Sequence, residues 1–249
     1  MAGIVGAGGG GSHIAQQLAH IGIGSFVLTD MDEYEDKNHN RTVGGHARDI
    51  ELSTPKVDIA KRMILAIDPD AHVVAIKKPW QQALPYLREC SVIFGSLDSY
   101  TDRDQLENLC RRYLIPYFDI GMDVHLVDGG AVIHGQVIRS MPGDQCLRCF
   151  GFLRQDLLEK EAQHYGAAGG HPQVIWPNGV LASTAVGLFV ELSSPWHFRA
   201  DARSAMYDYD GNRHIVLLSS RVAAVRDIPC RHFGEVSDLG DPLWSPRPE

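Results

Sequence analysis

Short apolar runs alternate with longer amphipathic stretches through the first half of the chain. The runs at residues 3–6, 25–29, 72–76, 91–94 and 116–120 read as buried strands. Between them, residues 12–21 place Ile14, Leu18 and Ile21 at helical spacing, and residues 56–67 do the same with Val57, Ala60, Ile64 and Ile67. Residues 84–88 and 101–113 complete the helical set. Strands that alternate with helices predict right-handed crossovers and a mostly parallel sheet. The second half changes character. Residues 131–138 alternate with period two, and 205–209 and 215–219 flank a Gly211-Asn212 turn, which predicts antiparallel strands. A charged helix is expected at 155–164, a glycine-rich stretch at 166–170, and a long apolar helix at 180–192 that stops at Pro195 with Trp196 packed beside it. The tail from 241 to 249 is rich in proline and reads as irregular. The fold class is therefore α/β, a Rossmann-like sheet that continues into antiparallel strands.

Composition narrows the class. A length of 249 residues suits one large α/β domain or two small ones. No apolar run reaches the roughly 20 residues of a membrane helix, and the first strand starts almost at Met1, so neither a membrane span nor a secretory leader is expected. A formal charge of −8 argues against general nucleic-acid binding, which needs an excess of Lys and Arg. Five cysteines, two of them as Cys146-x-x-Cys149, point to a reducing compartment, the cytoplasm by default, and to a metal clip. Cys90 and Cys110 read as small core apolars.

The candidate chemistry begins at the first strand-to-helix turn. Gly6, Gly8 and Gly11 stand at the spacing of a dinucleotide fingerprint, with Gly9 between them, and the next helix would offer its positive end to a phosphate. Asp30, at the end of the second strand, is placed to meet a ribose hydroxyl. Taken alone, these residues describe an NAD- or FAD-binding oxidoreductase. Asp32, Asn38, Arg41 and Lys56 ask for more negative charge than a dinucleotide carries, because a triphosphate needs cationic and amide donors around it.

The phrases GAGGGGS, LTDMDEYEDKNHNR and TPKVDIAK, followed by Ile67-Asp68-Pro69, SLDSYTDR, IPYFDIG, CLRC and a Pro-Asn-Gly helix, occur in this order over most of the chain. Together they resemble the ThiF/MoeB/HesA family of ubiquitin-activating-type adenylyltransferases. The resemblance implies a single adenylation domain over 1–249, with a nucleotide-binding half at 1–125 and a carrier-binding half at 126–249. It implies ATP over Gly6, Gly8, Gly9 and Gly11, its ribose on Asp30, its phosphates on Asn38, Arg41 and Lys56, and magnesium on Asp98, with Asp32 and Arg103 as further contacts. Arg41, Lys56 and Asp98 would be the catalytic set. Two departures stand out: Leu97-Asp98-Ser99 replaces the family's Thr-Asp-Asn, and Lys56 lies two residues late, the extra length falling at Gly44-Gly45-His46.

The implied substrate is the C-terminal glycine carboxylate of a ubiquitin-like or sulfur-carrier protein. A small metabolite, a peptide or a tRNA base is the alternative within the family; a non-catalytic subunit that binds a ubiquitin-like protein is the alternative outside enzymology. Relatives carry a cysteine in the crossover segment that takes the acyl group as a thioester, and none occurs here between Phe150 and Trp196. That leaves direct hand-off to a conjugating enzyme or sulfur donor, or an oxyester on Ser183 or Thr184. Relatives also carry a helix and an arginine ahead of the first strand, so either a longer parent protein or another element in that role is expected. Dimeric relatives imply a homodimer built on the sheet edge and the 180–192 helix through Leu181, Ala185, Leu188 and Leu192, and residues 166–179 suggest a cover over the nucleotide. Cys146 and Cys149 supply half of a structural zinc site; Cys230 and His232 are the candidates for the rest, since Phe233 stands where a fourth cysteine would.

Overall fold

A computed structural model describes residues 1–163, 173–194, 196, 198 and 201–233. The glycine-rich stretch at 166–170, Pro195 and the 241–249 tail lie outside the described residues. One eight-stranded sheet, in the order β3-β2-β1-β4-β5-β6-β7-β8, runs through both halves. Its parallel part comprises β1 (Ala2–Val5), β2 (Ser25–Thr29), β3 (His72–Ile76), β4 (Val92–Gly95) and β5 (Tyr117–Val127). β1 is central, with Ala2 opposite Phe26 on one side and Val92 on the other. The chain leaves β1 toward β2 and β3, then returns to β4. The order therefore reverses beside β1 and opens a crevice at the carboxyl ends of β1 and β4, where such sheets bind ligands.

Helices α1 (Gly9–His20), α2 (Ala47–Glu51), α3 (Lys56–Ile67), α4 (Leu84–Leu87) and α5 (Tyr100–Arg112) fill the crossovers. The second half adds β6 (Gly130–Ser140), α6 (Gln155–Gln163), α7 (Ile175–Ser193), the hairpin of β7 (Ala205–Asp210) and β8 (Ile215–Leu218), and α8 (Ser220–Val225). Apolar side chains fill both faces of the sheet. One layer joins Ile14 and Leu18 of α1 and Leu181 and Ala185 of α7 to Ile4, Phe94 and Ile120; the other joins Leu106 of α5, Leu147 and Phe150 to Val5, Ile93 and Tyr117. Each fully buried Leu, Ile or Phe contributes about 1.5–3 kcal/mol.

Two predicted elements differ most from the observed ones. β5 does not stop at Ile120 but runs to Val127, paired with β6 from Tyr117↔Ser140 to Val127↔Gly130. Its outer residues alternate with period two around an Asp128-Gly129 turn, with Gly129 at φ +87°. The long apolar helix starts at Ile175 rather than 180. Pro177 and Asn178 sit in its first turn, where proline costs no hydrogen bond. At 19 residues and a mean hydropathy of 1.3, α7 has the length and composition to cross a membrane, contrary to the reading of the sequence. It nevertheless packs on α1, β5 and β6.

That packing also corrects the expected dimer face. Leu181, Ala185 and Leu188 are buried in the chain's own core, and Leu192 packs against the same cluster. The residues of α7 that face outward include Ile175, Trp176 and Val180. Trp196 is 72% exposed, yet borders a groove beside the helix with Thr184, Gly187, Leu188 and Glu191 of α7.

Candidate active site

The turn after β1 is built by close backbone approach. Gly6 adopts φ +90°, and a Cβ there would lie 2.3 Å from the Ser96 carbonyl oxygen at the end of β4. A Cβ on Gly11 would lie 1.8 Å from the carbonyl oxygen of Gly6, so α1 can press on the turn only without a side chain at 11. At Gly8 a Cβ would meet nothing within 4 Å. This glycine faces open space at the N-terminus of α1, where backbone amides attract an anion.

Asp30 closes the turn from the end of β2. Its Oδ2 accepts from the Ala7 amide at 2.7 Å and its Oδ1 from the Asp32 amide at 2.8 Å. Burial holds this carboxyl above the ordinary carboxylate range, with Lys56 and the two amides pulling the other way. Lys56, at the first position of α3, is 8% exposed in its side chain and places Nζ 2.7 Å from Oδ2 of Asp32. The acid predicted as a second nucleotide contact thus aims the lysine. Asn38 is buried at the end of a 3-10 turn, where Oδ1 accepts from the Glu35 amide at 3.0 Å. Arg41 follows, its Nη1 donating to the Lys37 carbonyl and, at 3.2 Å, to Oδ1 of Asn40.

From the opposite side, the loop after β4 carries Asp98, whose Oδ1 accepts from Nε2 of Gln173 at 3.3 Å. Beneath it Arg103 is buried, with Nε donating to the Leu97 carbonyl at 2.7 Å and Nη1 to Oδ1 of Asp119 at 2.6 Å. Those donors fix the Asp98 loop to β5. Asp119 is completely buried and also accepts from the Tyr117 hydroxyl at 2.8 Å.

All of these predicted residues line one open cleft of about 260 Å³, with one exception, Gly11, which sits behind the turn. The cleft also contains residues that the sequence reading missed. Lys78, Trp80 and Gln81 follow β3 at the same sheet edge, and Trp80 Nε1 and Gln81 Nε2 both donate to Oδ1 of Asp102, at 3.1 and 2.8 Å. Their signal was position, immediately after a strand on the ligand side. Asn178, within the Pro-Asn-Gly motif, lies over Gly9, where a Cβ would come within 2.7 Å of its Nδ2. Ser183 is exposed on α7 and Thr184 donates to the Val180 carbonyl at 2.9 Å; neither lines the cleft.

A second cluster forms at the turn that packs against α5, where the Leu147 amide donates to Glu107 and Arg148 to Asp104. Cys146, Cys149, Cys230 and His232 bring one donor atom each to within 4.8 Å of one another. Sγ of Cys146 is 3.5 Å from Sγ of Cys149, and Nδ1 of His232 is 3.3, 3.5 and 3.9 Å from the three sulfurs. The edges of a tetrahedral zinc site, from bonds of about 2.3 Å to sulfur and 2.0 Å to nitrogen, are roughly 3.5–3.8 Å. The three-residue Cys230–His232 spacing therefore closes the set. Hydrogen bonding from Cys146 pushes the Cys230 thiol down to about 4, while Cys146 itself is held up.

The model of the family described as ThiF matches residues 2–213. A protein of Haloferax volcanii named SAMP-activating enzyme E1 is 30% identical over 149 residues, 59% of this chain and 51% of that protein. A tRNA threonylcarbamoyladenosine dehydratase of Bacillus subtilis is 39% identical over 74 residues, 30% of this chain and 28% of that protein. The chain thus spans about half or less of the length of these relatives. Among solved structures, E. coli MccB with ATP superposes at a TM-score of 0.69 with 19% identity, covering 88% of this chain and 62% of that one. By these matches and by its fold, the chain belongs to the ThiF family.

Proposed function

We propose that the chain binds ATP with magnesium and adenylates the C-terminal glycine carboxylate of a ubiquitin-like or sulfur-carrier protein. The observation that carries this reading is the convergence of Asn38, Arg41, Lys56 and Asp98 on a cleft whose floor is the open backbone at Gly8. Those residues suit a triphosphate; an NAD-dependent oxidoreductase would leave them without a role. The names of the relatives support the same chemistry, since one activates SAMP, others are called ubiquitin-like modifier-activating enzyme 5, and MccB is seen with ATP.

The carboxylate is already ionised at neutral pH and needs no base. One of its oxygens bonds to the α-phosphorus as the bond to the pyrophosphate oxygen breaks. The protein's part is to align the two and to neutralise the charge that leaves. Asp30 would take the ribose, and the α1 amides, Arg41 and Lys56 the phosphates. Asp98 would hold magnesium, which screens the departing pyrophosphate. Asp32 keeps Lys56 aimed.

Cys146, Cys149, Cys230 and His232 would hold a structural zinc. Among the described residues no cysteine lines the cleft, which favours hand-off of the acyl-adenylate to a partner's nucleophile, on a conjugating enzyme or a sulfur donor. A homodimer would use the outward side of α7 at Ile175, Trp176 and Val180, and the free thiols accord with a cytoplasmic setting.

ATP–pyrophosphate exchange with a panel of carrier proteins tests the reading. Exchange that requires both a carrier and its terminal glycine is the expected result. Tight NAD binding by calorimetry, with none for ATP, would overturn it.

A further inference from the structure

The outer part of the β5–β6 hairpin carries three side chains used by neither the cleft nor the cysteine cluster. Asp123 and His125 are two residues apart on β5 and so project from the same face. His134 of β6 pairs directly with Asp123, which sets their Cβ atoms about 4.5–5.5 Å apart. The register is held along the whole length of the hairpin, from Tyr117↔Ser140 to Val127↔Gly130. A slip by one residue would turn every one of these side chains to the other face.

The result is compact. One ligand atom from each residue lies within 4.8 Å of the others. The two imidazoles stack with centroids 4.8 Å apart and planes at 23°, and Nε2 of His125 is 3.3 Å from Oδ2 of Asp123. Asp123 is partly buried at the base of the group, and both histidines are exposed.

We propose that Asp123, His125 and His134 form a second metal site, for a late first-row divalent ion such as nickel or zinc. Two imidazoles with one carboxylate suit these ions, whereas calcium and magnesium prefer all-oxygen sets. Three ligands leave coordination positions open to water or to a donor from a bound partner, in contrast to the four-donor cysteine cluster. Gly121, on the same face of β5, lines the cleft. At about 3.3 Å per residue the ion would sit roughly 7 Å beyond it, at the cleft's outer rim. The site rests on register and donor chemistry and is independent of the adenylation reading.

The test uses the full chain, given a single equivalent of zinc to fill the four-donor cysteine cluster and then freed of excess metal by gel filtration, with nickel as the probe. Calorimetry should show about one nickel bound per chain, weakened about tenfold or more in His134→Ala and in His125→Ala, with unchanged melting. In a nitrogen-15 spectrum of the unaltered chain, the paramagnetic ion should broaden the imidazole signals of His125 and His134 ahead of those of the other histidines. No nickel binding by the unaltered chain would overturn the proposal. So would binding that survives loss of both histidines, or broadening that spares them.

Discussion

Gln173 donates from Nε2 to Oδ1 of Asp98 across 3.3 Å, while its own carbonyl accepts from Nδ2 of Asn40 at 3.0 Å. One residue at the foot of α7 thereby bridges the two loops that face each other over the cleft. The carboxylate it engages is the one expected to hold magnesium. Gln173→Ala should therefore tighten magnesium–ATP binding by about two- to tenfold, the worth of one ordinary hydrogen bond. Calorimetry checks this, with Asp98→Asn as the opposite control. Equal affinities in Gln173→Ala and the parent would make the bridge a bystander.

Arg41 lies beside Gly9, whose Cβ would sit 3.4 Å from the arginine Cδ. If Arg41 stabilises the charge on the leaving phosphates, Arg41→Ala should slow pyrophosphate exchange by roughly 10²–10³-fold. A near-normal rate would assign that charge to Lys56 and the α1 amides alone.

The cysteine cluster joins the turn at 146–149 to the segment at 230–232, so a bound ion would add directly to the stability of the fold. Metal analysis of protein purified without chelator should give about one zinc per chain, and chelator should lower the melting temperature. Protein without zinc, melting unchanged with chelator, would refute the site.

Arg62 of α3 grips Asp49 of α2 with two hydrogen bonds, of 2.8 and 2.7 Å, and reaches the Gly44 carbonyl at 2.9 Å. The pair fastens the long loop that carries Asn38 and Arg41. Hydrogen bonding from Arg62 holds the Asp49 carboxyl well below the usual carboxylate range. A depressed pKa contributes stability that is complete above about pH 4 and is lost as pH falls below it. Asp49→Asn should cost about 1–3 kcal/mol at pH 7 and less near pH 3. Urea melts at the two pH values measure this, and a deficit independent of pH would contradict it.

Much of the nucleotide half was legible because its signals are local. Lys56 to Ile67 and His72 to Ile76 have the predicted bounds, since a clean period and a flanking breaker define each. The outer half of β5 was not legible from apolar content, because Asp123 and His125 interrupt it and the strand is held there by pairing with β6. The apolar period placed the start of the long helix at 180, although the first turn of a helix accepts Pro177 and α7 begins at Ile175. Spacing and motif order found the glycine turn, Asp30, Asn38, Arg41, Lys56, Asp98 and Arg103, but not Lys78, Trp80 and Gln81, nor the partner of each cleft residue. Nothing in the sequence says that Arg103 turns to Asp119, because that contact depends on how α5 lies on β5.

The contact of Gly11 with Gly6 bears on how such a site diversifies. A strand, turn and helix that meet at a distance where no Cβ fits tolerate almost no variation in sequence. Variation must then fall elsewhere, in the segments at 78–81 and 173–178, which border the cleft without building that junction. The architecture separates a junction fixed by sterics from a rim whose side chains can change without rebuilding it.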